Sequence, residues 1–103
     1  MTYTKHYAND RQVREQLIRD VIGQGNRVAR FRWDRGHKNG AEIHEISDTG
    51  IITIYNERTG KLITKLIAQP YQIERYYKAV GKVAPEDILQ LAYEHKRLRY
   101  NEI

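Results

Sequence analysis

Apolar positions along this chain change their period from one stretch to the next. Between residues 9 and 22, Val13, Leu17 and Val21 recur at every fourth position, joined by Ile18 and Ile22. That spacing builds one apolar stripe and predicts a helix starting near Asn9. Asn9 or Asp10 can cap its first amides, with Gln12 three residues after Asn9, and Gly23 and Gly25 end it. Residues 1–8 read as a loose lead-in to this helix.

From residue 27 onward, two-residue alternation replaces helical spacing. Strands are predicted over 27–34, 41–47, 51–56 and 61–68. They are interrupted by the glycine-bracketed segment 36–40, by Asp48-Thr49-Gly50 and by 57–60. Successive short loops between strands imply an antiparallel meander. Helical spacing returns after Pro70, through Ile73, Tyr76, Tyr77 and Val80 to Gly81. Proline suits a first helical position because its missing N–H would have no partner there. Pro85, Glu86 and Asp87 open a last helix, with Ile88, Leu91, Ala92, Tyr93 and Leu98 on its apolar side. The order is one helix, four strands and two helices. It makes 1–103 a single α+β domain with a four-stranded meander sheet.

Strand register decides which side chains meet. With 47–50 and 57–60 as loops, Ile43 faces Ile54, His44 faces Thr53, and Thr53 faces Thr64. Ile43, Ile52, Ile54, Ile63 and Ile67 then share the face expected to hold the main core. With 36–40 as a loop, Trp33 faces Ile43 and Arg32 faces His44. With a tight Asn39-Gly40 turn, Arg35 faces His44 instead. The longer loop is preferred because it keeps Phe31 and Trp33 on the isoleucine face. The opposite face then carries a polar row of Arg32, His44, Thr53 and Thr64, with Arg30 and Tyr55 nearby.

Composition narrows the classes available. At 103 residues with 40% hydrophobic and 30% charged content, the chain fits one ordinary soluble domain. It has no apolar run near the ~18 residues of a membrane span, and 1–12 lacks a signal-peptide core. There is no cysteine, which excludes disulfides and thiolate zinc sites. These features place the protein in the cytoplasm. The four histidines show no metal-binding spacing, so neither metal nor cofactor is expected. Of the eight tyrosines, Tyr71, Tyr76, Tyr77 and Tyr93 are read as packing between helix and sheet.

Charge brings in function. The net charge is +5, and basic residues concentrate in Arg27, Arg30, Arg32, Arg35 and Lys38, with His37 among them and Phe31 and Trp33 interleaved. Guanidinium groups beside aromatic rings suit phosphates and bases. The first expectation is therefore a nucleic-acid-binding domain, RNA favoured, using this strip for phosphate contacts and stacking. The second concerns the polar row. Metal-free RNA cleavage needs a base, a cation for the phosphate and an acid, and His44 with Arg32, Thr53 or Thr64 offers part of that set. The element order of this basic, cysteine-free chain is similar to small metal-independent ribonuclease toxins. That likeness is one of architecture and implies an endoribonuclease. The third expectation is a protein–protein interaction module or homodimer, using tyrosines and an uncovered sheet face, with a sheet edge at each side open to strand addition.

Overall fold

A computed structural model of the chain describes residues 11–34, 36 and 40–99. Helix α1 spans Arg11–Leu17 and runs into a π-helical turn at Ile18–Ile22. Four strands follow: β1 (Arg27–Trp33), β2 (Glu42–Ser47), β3 (Ile51–Asn56) and β4 (Leu62–Ile67). Helices α2 (Pro70–Ala79), α3 (Glu86–Glu94) and the short α4 (Lys96–Arg99) complete the chain. The sheet is an antiparallel meander of order β1-β2-β3-β4. The α+β architecture expected from the apolar periods is the one found. The expected helix start near Asn9 lies outside the described residues.

Helix ends follow local chemistry. At α2, Gln69 and Gln72 form a capping box, the Gln69 N–H donating to Gln72 Oε1 at 2.8 Å, with Pro70 behind them. Its C-terminus closes when Lys82 N donates to Tyr77 O (2.9 Å) and Gly81 N donates to Lys78 O (3.0 Å). Glu86 and Asp87 occupy the first turn of α3, where the helix dipole favours acids.

The π-turn corrects the predicted stripe on the first helix. A wider turn rotates every later side chain out of the 3.6-residue phase. Val21 therefore points outward and is 61% exposed, whereas Ile18 is buried. Ile18, Leu17 and Ile22 pack on Ile51 and Ile67. Arg14 ties α1 to β4, its Nε donating to Lys65 O at 2.7 Å and its Nη2 to Thr64 Oγ1 at 3.0 Å.

The first two hairpin registers differ from those predicted, and the third keeps the predicted match only at Tyr55 and Leu62. His44 pairs with Ile54 and Ile43 with Tyr55, one residue away from the expected match. The cause is the β2–β3 loop, which spends three residues rather than four. Gly50 takes φ +83 and its N–H donates to Ser47 O at 3.0 Å. At the next hairpin Thr53 pairs with Lys65 and Ile54 with Thr64, with an irregularity between Ile54 and Tyr55. On β1, Phe31 faces His44 and Arg32 faces Ile43, so neither predicted version of the first hairpin holds.

A one-residue slip exchanges the two faces of a strand. The expected isoleucine face is therefore divided. Ile52 and Ile54 lie with Phe31, Ile46 and Leu66, and this side packs against Ala68, Ile73 and Tyr77 of the α2 region and Ile88 and Ala92 of α3. Ile43, Ile51 and Ile67 fall on the other side, and Ile63 is exposed. Tyr76 and Tyr77 pack as expected, but Tyr71 and Tyr93 are exposed.

The link between α1 and β1 depends on Gly25, which holds φ +72. A Cβ there would lie 2.3 Å from Asp48 Oδ1 and 2.8 Å from Thr49 Oγ1. Neither neighbour is free to retreat. Asp48 Oδ1 accepts from Asn26 N (2.9 Å), and Thr49 Oγ1 donates to Gly23 O (2.8 Å). Gly25→Ala is therefore expected to destabilise the fold by more than about 1 kcal/mol, measured by urea denaturation. Wild-type stability in this variant would show that the link adjusts freely.

Candidate functional site

The arginines of the basic strip are positioned by an irregular edge strand. The register shift between Arg27 and Ala29 leaves Val28 as the extra residue of β1. A bulge of this kind turns residues three apart onto one side. Arg27, Arg30 and Arg32 consequently share the sheet face that α2 and α3 do not cover, and all three are exposed. Phe31 and Trp33 point to the other face. Phe31 is buried in the core, and Trp33 stacks on His44. Alternation along the strand sets Phe31 and Trp33 opposite Arg30 and Arg32, as the strand pattern predicts, so the two rings do not lie among the guanidiniums. Arg35, His37 and Lys38 lie outside the described residues.

Carboxylates face each of these guanidiniums. Glu45 Oε2 lies 3.0 Å from Arg27 Nη1 and 3.8 Å from Arg30 Nε. Glu57 takes two bonds from Arg32, at 2.7 and 3.1 Å, and Asp34 lies 3.6 Å from Arg32. Tyr55 joins the cluster, accepting from Arg30 Nε (3.4 Å) and donating to Glu45 (3.2 Å). The hydrogen bonds from Arg32 hold the Glu57 carboxyl below its usual range. Thr53 and Lys65 continue the same face, linked through Gln24. Gln24 Nε2 donates to Thr53 Oγ1 (3.4 Å), and Lys65 Nζ donates to Gln24 Oε1 (2.8 Å).

The predicted polar row does not assemble. His44 and Thr64 lie on the face covered by α2 and α3, in one row with Phe31 and Ile54. Arg32 and Thr53 lie on the opposite face. His44 is only 7% exposed, and both ring nitrogens are engaged: Nε2 with Glu42 Oε1 at 3.1 Å, and Nδ1 with the Tyr76 hydroxyl. An ionised Glu42 can only accept, so Nε2 carries the hydrogen. In the neutral ring Nδ1 then accepts from Tyr76. Trp33 and Tyr76 enclose the imidazole, with ring centroids 5.7 and 5.4 Å away. Both ring nitrogens of His44 are thus engaged within the fold.

Glu42 is the residue that sequence reasoning passed over. Its spacing of two from His44 puts both on one strand face, which is the signal that would have paired them. Beside it opens a cleft of about 390 Å³ lined by Gly40, Glu42, Asn56, Arg58, Thr59, Lys61 and Ile63. A smaller groove is lined by Trp33, Gln72, Arg75 and Tyr76. Among the described residues no group of three or more His, Cys, Asp or Glu is placed to hold a metal ion, and no helix is long and apolar enough to cross a membrane. No protein-family model matches the chain, and no curated protein or solved structure shows significant similarity to it.

Proposed function

We propose that this domain binds the phosphate backbone of a nucleic acid, single-stranded RNA in preference, through Arg27, Arg30 and Arg32. One observation carries the reading: the irregular β1 edge gathers three exposed guanidiniums on a single face. A four-stranded sheet is too broad for the major groove of a duplex, which admits a helix or a two-stranded ribbon. Unpaired strands lying on a sheet face are the better match.

The acidic neighbours do not close this surface. Exposed ion pairs are each worth about 0–1 kcal/mol. A guanidinium also has five N–H donors, so one held by a carboxylate keeps others for a phosphate. The carboxylates do reduce the local field, because Glu45, Glu57 and Asp34 balance the three arginines. Phosphate must therefore compete with them, and Glu45→Gln and Glu57→Gln should tighten binding.

Salt dependence of affinity for a fluorescent single-stranded RNA tests the proposal. Three phosphate contacts give a log–log slope of about −2, or about a 20-fold loss of affinity between roughly 50 and 200 mM salt. The double variant R30E/R32E, whose altered side chains are exposed, should keep the wild-type circular dichroism and lose binding. A flat salt profile, or unchanged affinity in that variant, would overturn the reading.

A further inference from the structure

We infer that the cleft beside Glu42 is a ribonucleotide site, with the phosphate held by Arg58 and Lys61 and a ribose hydroxyl by Glu42. It stands apart from the arginine row. Its sheet-borne walls, Glu42 and Asn56, lie on the face shared with His44.

The charge arrangement carries the inference. Among the described residues, every arginine of the β1 row has a carboxylate within 4.0 Å, but Arg58 and Lys61 have none. These two cations line the same cleft as a carboxylate without pairing to it. Had they served only to balance Glu42, closure onto it would be expected. The cleft instead keeps cationic groups and an anionic acceptor apart in a volume typical of small-molecule sites, roughly 300–1,000 Å³.

The walls are held in place. Asn56 Oδ1 accepts from the backbone N–H groups of Arg58 and Thr59, both at 2.9 Å, and Thr59 Oγ1 accepts from Lys61 N at 3.2 Å. The turn that carries the cations is therefore braced from within. Glu42 Oε1 is committed to His44, which is enclosed by Trp33 and Tyr76. Oε2 has no partner among the described residues, and the side chain is 34% exposed. A braced, partly exposed carboxylate with one oxygen unpartnered among the described residues is a ready acceptor for a hydroxyl donor.

A ligand for this cleft must carry an anion at one end and a hydroxyl donor a few ångströms away. A phosphorylated ribose fits that description. Trp33 is the register partner of Glu42 on the adjacent strand and is partly exposed. It lines the neighbouring groove rather than the cleft itself, so a base carried by the ribose would reach this ring by extending past Glu42. The occupant is accordingly a nucleotide rather than a bare sugar phosphate.

Isothermal titration with the four ribonucleoside 5′-monophosphates, ribose 5-phosphate and inorganic phosphate tests this. At least one mononucleotide should bind saturably, more tightly than ribose 5-phosphate, and should change Trp33 fluorescence. R58A/K61A should abolish binding. Glu42→Gln, which retains an oxygen for His44, should weaken it about tenfold, the loss expected for a hydrogen bond to a charged acceptor. Circular dichroism on each variant separates loss of binding from loss of fold. Absence of saturable binding by all four nucleotides would overturn the assignment. So would binding indifferent to R58A/K61A, or ribose 5-phosphate binding as well as any nucleotide.

Discussion

Replacing Ile46 by alanine is expected to destabilise the domain by about 2–5 kcal/mol, the range for deleting a large aliphatic side chain from a packed core. Ile46 sits on a central strand between Ala29 and Ile52, is completely buried, and belongs to the cluster that fixes α2 and α3 to the sheet. The cavity would open beneath both helices, where main-chain hydrogen bonds resist collapse. In a domain of this size each kilocalorie shifts the midpoint by about 4–8 °C, so thermal unfolding should fall by more than about 8 °C. Val21→Ala is the matched control. Both residues are apolar and sit within regular patterns, but Val21, inside the π-turn, is largely exposed. Its substitution should change stability by no more than about 0.5 kcal/mol. Comparable losses at the two positions, measured by urea denaturation with equal slopes, would contradict the packing described here.

His44→Ala should cost about 2–4 kcal/mol, for a different reason. The change removes a ring enclosed by Trp33 and Tyr76 and deletes the partner of both Glu42 and the Tyr76 hydroxyl. The cavity and the lost hydrogen bonds add together. His44→Phe separates the two contributions, because it restores an aromatic ring without either bond. Its expected loss is about 1–2 kcal/mol, attributable to the polar partners. Full recovery of stability in the phenylalanine variant would show that the ring matters only for its volume.

The element order was legible because it rests on local chemistry. Apolar period, proline at a helix start, glycine at a helix end and acids in a first turn act within a few residues of one another. Pro70, Gly81 and the Glu86-Asp87 pair each lie where those rules put them. Register was not legible, because a three-residue loop ending in Gly50 and a four-residue loop starting at Ser47 use the same residues. That difference moved Thr53 away from His44 and took the proposed catalytic row apart. The arginine row fared otherwise. Strict alternation puts Arg30 and Arg32 together, and the irregularity at Val28 brought Arg27 to the same side. Nothing local marks Glu45 and Glu57 as partners of these arginines, since each lies on another strand or turn.

Glu42, Arg58 and Lys61 escaped notice for a related reason. Each is an unremarkable surface residue in one dimension, and they become a cleft only when β2 and the β3–β4 turn lie side by side. Tyr76 meets His44 from 32 positions away. Short-range patterning thus set the type and succession of the helices and strands, because backbone preferences and side-chain spacing act within each segment. Which face each strand presents, which acids oppose which bases, and where a cleft opens were settled by packing segments against one another. A shift of one residue is nearly neutral for a lone hairpin, but it turns every side chain over once a helix layer must be accommodated.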